Sequence, residues 1–242
     1  KGGSGATLVA ASLAMVSARS GPTVLVDLGG DLPALLGVDL PDGPGVGDWL
    51  ASPHATPESL ARLAVEVAPD LQLVPAGRLD DGRPIEAVHA ERLGHACSAG
   101  PVEVVVDAGP HARHHVLHAC ARQSLLVTRP EYLALRRAVR LPGNATGVVV
   151  VREPVHQYRT ADIASIVGAP ILADVHWDPA MARLADQGLL GRRFPTAWMR
   201  AIERVRASAP TSAPAVPTWR GRCSASAISI VGSTPTTSTR CW

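Results

Sequence analysis

The chain has 242 residues, 46% of them apolar, enough to bury the core of one sizeable domain or two small ones. Its 23 basic and 21 acidic residues nearly cancel, to a formal +2, which excludes bulk charge as a basis for nucleic-acid or membrane attachment. Four cysteines (Cys97, Cys120, Cys223 and Cys241) form no C-x-x-C pair and show no metal-ligand spacing, so the pattern supports neither a disulfide framework nor a zinc site and points to a reducing cytoplasm.

The chain opens on Lys1-Gly2-Gly3-Ser4-Gly5-Ala6-Thr7, which runs straight into a predicted apolar helix over Thr7 to Ala18. A glycine-rich loop feeding a helix can cradle phosphate: its backbone N–H groups turn inward, the helix end adds partial positive charge, and a hydroxyl in the first turn can ligate Mg²⁺. Composition alone also allows a flexible linker. The helix and the predicted strand Thr23 to Asp27, ending in a carboxylate, argue for the loop.

Further strands are predicted at Leu71 to Pro75, Val102 to Asp107, Ser124 to Thr128, Gly147 to Val151 and Pro170 to Val175. Helical spacing marks Pro84 to Cys97, Pro130 to Arg140, Ala161 to Val167 and Pro179 to Gln187. This alternation predicts an α/β domain with a mostly parallel sheet flanked by helices on both faces, and the unbroken runs Val104 to Val106 and Val148 to Val151 fit its central strands. Ligands of such sheets sit beyond the strands' carboxyl ends, here Asp27, Asp107, Thr128 and Arg152. After about Arg206 the composition shifts to Ala, Pro, Ser and Thr without Asp or Glu, so the expected division is a domain over 1–206 and a disordered tail over 207–242. No apolar run approaches the roughly 20 residues that span a bilayer.

Lys1 to Thr7 resembles the phosphate loop of the MinD/ParA family of deviant Walker A ATPases, including its CpaE/TadZ branch, which reads Lys-Gly-Gly-x-Gly-Lys-Thr. Val24 to Gly37 resembles the family's second strand and switch I, Val104 to Pro110 its Walker B strand and switch II, and Val127 to Leu135 and Asp178 to Gly188 later segments. The resemblance covers about residues 1–205. It implies a P-loop NTPase fold of the SIMIBI type, here with its first strand truncated, and so an unpaired strand edge and poor solubility. It implies a homodimer binding ATP and Mg²⁺. Gly2, Gly3, Ser4, Gly5, Ala6 and Thr7 would surround the phosphates, Thr7 and Asp107 would hold the metal, and Asp27 would support the site. Lys1 would be the catalytic lysine that reaches the partner's nucleotide. The implied role is a switch in spatial organisation, recruiting a protein at a pole, septum or secretion site, cytoplasmic or peripheral to the inner membrane through that partner.

Two positions depart from the pattern. Ala6 stands where the family has the lysine that reaches the β- and γ-phosphates, and Gly29 stands where the second aspartate of Asp-x-Asp helps position water. Both departures raise the alternative of a pseudo-ATPase scaffold that does not hydrolyse ATP.

Three further groups are weighed. His111, His114, His115 and His118 read as a solvated helix rather than a metal site, since no acidic partner is interleaved. Arg136, Arg137 and Arg140 could meet phosphates, but no aromatic interleaving or strongly basic domain favours DNA. Trp49 reads as a partly buried core residue rather than an interface anchor.

Overall fold

The computed structural model describes residues 3–40, 43–79, 85–109, 115–141, 145–153, 158–209 and 227–232. In chain order, α1 (Ala6–Ala18) leads into β1 (Thr23–Asp27) and the short helices α2 (Leu32–Leu36), α3 (Val46–Ala51) and α4 (Pro57–Ala61). The strands β2 (Val65–Ala68) and β3 (Leu71–Val74) precede α5 (Ala87–Ser98) and β4 (Glu103–Asp107). Next come α6 (His115–Cys120), β5 (Gln123–Thr128), α7 (Tyr132–Ala138), β6 (Gly147–Arg152) and α8 (Thr160–Val167). The last elements are β7 (Ile171–His176), α9 (Pro179–Asp186), α10 (Thr196–Ala207) and β8 (Ala227–Gly232).

The strands form one eight-stranded sheet in the order β2-β3-β1-β4-β8-β5-β6-β7. Among the described strands only the edge strand β2 runs antiparallel, against β3. Side chains alternate between faces, and both faces are covered, so the apolar runs need no polar residues between them. On one face Leu25, Leu73, Val105, Leu125, Val149 and Val151 pack with α1, α9 and α10. On the other, Val26, Val74, Val104 and Val106 pack with α3, α4 and α5, and Leu126, Val148 and Val150 pack with α7 and α8.

Helix α1 is buried on nearly every side because it lies between the sheet and α10. Two polar links fix it. The Trp198 indole N–H donates to Ser12 Oγ (3.0 Å), whose hydroxyl in turn donates to the Leu8 carbonyl (2.7 Å). Near its C-terminal end Arg206 and Ser17 both donate to the carboxylate of Glu103 on β4, at 3.2 and 2.6 Å. The sequence reading assigned no helix to 196–207. Its buried Trp198, Ile202 and Val205 are spaced at i, i+4 and i+7, but the intervening Arg200, Glu203 and Arg204 lower its average hydropathy.

One segment of the region after α10, Ala227–Gly232, lies as β8 between β4 and β5, parallel to both, with Ser229 opposite Val106 on one side and Ser124 on the other. The place between β4 and β5 is thus taken by a strand distant from both in the chain. A six-residue apolar stretch is too short for periodicity to reveal it; only the two open backbone edges of β4 and β5 select it. Ser229→Pro, which removes a ladder N–H in the middle of the sheet, should lower stability by about 3 kcal/mol. Urea unfolding measures this; an unchanged midpoint would show that β8 contributes nothing to the sheet.

Candidate functional site

The site begins with α1. Gly5 caps the helix with left-handed backbone, φ +90°, and its carbonyl accepts the Val9 N–H at 3.0 Å. The first-turn N–H groups have no partner within the helix, no side chain caps them, and no acidic residue neutralises the turn. The positive end of a rigid helix is thus left for an anion. Gly3, Ser4, Gly5, Ala6 and Thr7 all line one cavity of about 750 Å³. Lys1 and Gly2 lie outside the described residues.

Two carboxylates stand side by side below the loop. Asp27 and Asp107 end neighbouring parallel strands in matched register, and both are fully buried. Asp27 is saturated: Oδ1 accepts the N–H groups of Gly29 (2.8 Å) and Gly30 (2.7 Å), and Oδ2 accepts that of Leu32 (3.1 Å). Asp107 is not. Its Oδ1 accepts the Gly109 N–H at 3.1 Å, while Oδ2 is buried without a hydrogen bond of good geometry, although the Thr7 hydroxyl lies near enough to stabilise the charged carboxylate. Burial pushes the Asp107 carboxyl up to about 6, opposed by the Thr7 hydroxyl and increased by the charge of Asp27. Burial raises Asp27 as well, against the pull of its three N–H donors.

The loops after these strands touch. Gly109, at φ +47°, approaches so closely that a Cβ there would lie 2.6 Å from Gly29 Cα. Only glycine tolerates both the dihedral and the contact. The Leu28 N–H also donates to the Asp107 carbonyl, at 2.9 Å. Asp107 therefore faces the cavity, which Gly29, Asp31 and Gly109 also line, whereas Asp27 supports the turn from beneath and does not line it.

The opposite wall is built by Arg129, Glu153 and Trp177, from the segments following β5, β6 and β7. Arg129 Nη1 donates to Glu153 Oε1 at 2.6 Å, and Arg129 Nε is buried without a partner. Ser4 Oγ is likewise buried and unpaired. Three orphaned polar atoms, on Ser4, Asp107 and Arg129, thus belong to residues around one cavity. The sequence reading singled out Arg152 at the end of β6, but its guanidinium is bound to Asp174 at 2.7 and 3.0 Å, and the next residue, Glu153, is the one on the cavity wall. The rule that ligands sit beyond strand ends could have pointed to Arg129 and Glu153.

Other sequence candidates fall elsewhere. Trp49 is buried, its N–H donating to the Thr56 carbonyl and Ser59 Oγ, with Arg92 over its ring at 5.0 Å. His118 is not solvated as expected but is buried with Nδ1 3.0 Å from Ser124 Oγ. His111 and His114 lie outside the described residues, and among the described residues no group of three or more His, Cys, Asp or Glu could hold a metal.

Neither a scan of family profiles nor a search of curated sequences finds a match. Solved structures do match. A ParA family ATPase from Chlorobium tepidum superposes with TM-score 0.65 at 21% identity, covering 86% of this chain and 95% of the other. The MinD cell division protein of Aquifex aeolicus gives 0.64 at 18%, covering 87% and 94%. An ATP complex of a singly substituted Cyanothece McdA gives 0.62 at 17%, covering 86% and 92%. The chain has the P-loop fold of the ParA and MinD ATPases.

The residues present fit a magnesium nucleotide. The orphaned, buried Asp107 oxygen calls for a cation, and Mg²⁺ typically takes one or two carboxylates and keeps waters and phosphate oxygens as its other ligands. The uncapped end of α1 calls for an anion. Because Asp107 binds its proton more tightly folded than unfolded, its contribution to stability is full below about pH 4 and is lost as pH rises to 6. Above pH 6 the buried charge costs the metal-free chain about 3 kcal/mol. In chelator, Asp107→Asn should melt higher than wild type by roughly 5 °C or more at pH 7, with the gap opening between pH 4 and 6. A gap that is absent or reversed in thermal scans would show that Asp107 carries no such penalty.

Proposed function

We propose that the cavity binds ATP with Mg²⁺ and that the chain is a nucleotide-dependent dimeric switch in spatial organisation, at a septum site, in chromosome partition or in localising pilus or secretion machinery. The observation that carries this reading is the convergence, on one cavity, of the uncapped N-terminus of α1, the Thr7 hydroxyl and the orphaned oxygen of Asp107. In this reading Gly2, Gly3, Ser4, Gly5, Ala6 and Thr7 surround the phosphates through backbone N–H groups. Thr7 and Asp107 hold Mg²⁺, which neutralises phosphate charge. Asp27 positions the turn at Gly29 and Gly30, and Lys1, the only lysine in the sequence, serves the nucleotide of a second copy.

Further support comes from the solved relatives. One is an ATP complex of McdA, another a putative plasmid partition protein from Borrelia burgdorferi bound to AMPPNP, and a third a MinC:MinD cell division complex. Among the described residues no helix is long and apolar enough to cross a membrane. A cytoplasmic protein held at its site by a protein partner accords with that.

A second reading, a pseudo-ATPase scaffold, is favoured by two residues. Ala6 brings no cation to the phosphates. A side chain at Gly29 would begin 3.6 Å from Asp27 Oδ1 and 3.7 Å from Asp107 Oδ2, so the family's carboxylate would join the two buried ones, and here it is missing. In this reading the chain keeps the fold and the dimer surface but neither hydrolyses ATP nor switches on it.

Hydrolysis assays and light scattering separate the readings. Wild type should dimerise with Mg-ATP and turn it over slowly; Ala6→Lys alone should remain slow, and Ala6→Lys with Gly29→Asp should gain at least tenfold. A wild type that neither associates nor hydrolyses, with activity in the double variant, would mark the scaffold. Failure of every variant to respond to Mg-ATP would overturn the nucleotide reading.

A further inference from the structure

Helices α5 and α6 meet along a seam where Ala90, Leu93 and Cys97 of α5 join Leu117 of α6 in one apolar cluster. Gly94 stands on the same face in the middle of α5, although an interior glycine weakens a helix. Close contact accounts for it: a β-carbon on Gly94 would lie 2.7 Å from both Cβ and Sγ of Cys120. The Cys120 side chain thus occupies the place where a residue at 94 would put its own. Cys97 follows one turn later, at i+3, and the Cα–Cβ bonds of a helix tilt toward its N-terminus, so Cys97 leans back toward that same spot. Burial pushes the Cys97 thiol up to about 12, and the neighbouring Cys120 adds to the shift. Both side chains are thiols in this structure.

A disulfide joins β-carbons about 3.5–4.5 Å apart, and side chains one turn apart on a helix stand about 5–6 Å from each other. With Cys120 seated over the turn before Cys97, the two sulfurs have a short gap to close. Their access is unequal. Cys120 is half-buried, whereas Cys97 is 5% exposed and is met from a cavity of about 560 Å³ at the amino ends of β1, β3 and β4. We propose that Cys97 and Cys120 are a redox pair that hydrogen peroxide converts into a reversible disulfide, tying α6 to α5. The half-buried Cys120 reacts first: its thiolate attacks a peroxide oxygen, the O–O bond breaks, and one water leaves as Cys120 becomes a sulfenic acid. A sulfenic acid carries no thiolate charge, which removes one of the two causes that hold Cys97 protonated. Cys97 then gives up its proton and its sulfur attacks that of Cys120; the S–S bond forms, the S–O bond breaks, and hydroxide leaves with that proton as the second water. Two thiols are oxidised to one disulfide while one peroxide is reduced to two waters. Disulfides of this transient kind occur in reducing compartments, where a permanent framework is rare. The loop closed from 97 to 120 contains β4 and Asp107, so oxidation ties down the chain on both sides of the candidate site's carboxylate. Formation of the bridge does not depend on the nucleotide reading.

The test treats the folded full chain with hydrogen peroxide at neutral pH, blocks remaining thiols with iodoacetamide and digests with trypsin, which cuts at Arg113 between the two cysteines. Mass spectrometry should find the peptides of Cys97 and Cys120 joined as the main cross-link, lighter than their sum by the two thiol hydrogens, and dithiothreitol should release them. Cys97→Ala and Cys120→Ala should each abolish that link, while Cys223→Ala combined with Cys241→Ala should keep it. In concentrated urea, where the helices no longer hold the pair together, its share should fall roughly threefold or more as the other pairings compete. The bridged chain should also melt about 5 °C or more above the reduced chain, because the bridge constrains the unfolded state. The proposal is overturned if the folded chain yields no such link or favours other pairings. It is also overturned if the link is as frequent in urea as in the folded chain, or if the bridged chain melts no higher than the reduced one.

Discussion

Two carboxylates buried side by side set the terms for the rest of the site. Parallel pairing of β1 and β4 in register puts Asp27 and Asp107 at adjacent strand ends, where burial opposes the charge of both and the charge of Asp27 adds to the cost of charging Asp107. The chain resolves the conflict unequally. Asp27 is compensated by three backbone N–H groups and becomes part of the turn at Gly29 and Gly30. Asp107 keeps one oxygen unsatisfied, facing the phosphate loop. A buried acceptor with no donor weakens the metal-free protein, and a divalent cation delivered with an anion relieves that strain. Folding energy and ligand binding are in this way two sides of one electrostatic imbalance.

The anion's place is set by α1, and α1 is fixed by packing rather than by its own propensity. It is held between the sheet and α10, with Trp198 bonded to Ser12 at its middle and Arg206 and Ser17 gathered on Glu103 at its C-terminal end. Its first turn, whose N–H groups have no partner within the helix and no side-chain cap, begins at Ala6 and Thr7, which line the cavity. Gly109 and Gly29 complete the arrangement by letting two loops approach to backbone contact beneath the site.

Much of this was legible in the sequence because the local signals agree with the fold. Strand Thr23–Asp27 and the runs at 103–107, 124–128 and 147–151 stand out as apolar segments ending at polar residues, and the Gly-rich start of α1 marks the phosphate end. What escaped notice depends on tertiary context. The far wall of the cavity is made by single residues after three separate strands, and Arg129 and Glu153 become a pair only when β5 and β6 lie side by side. Helix α10 was hidden by its charged outer face, and β8 by its brevity within a stretch of Ser, Thr and Pro. His118 was misread as solvated because sequence spacing does not show that α6 turns it toward Ser124.

The central claim is that Asp107 and the end of α1 together form a magnesium-nucleotide site, and the most direct test is calorimetric titration of ATP into the chain with Mg²⁺ and with chelator. Micromolar binding is expected in Mg²⁺, with a loss of roughly tenfold or more in chelator or in Asp107→Asn. Binding that is undetectable in Mg²⁺, or equally tight without it, would show that no such site exists.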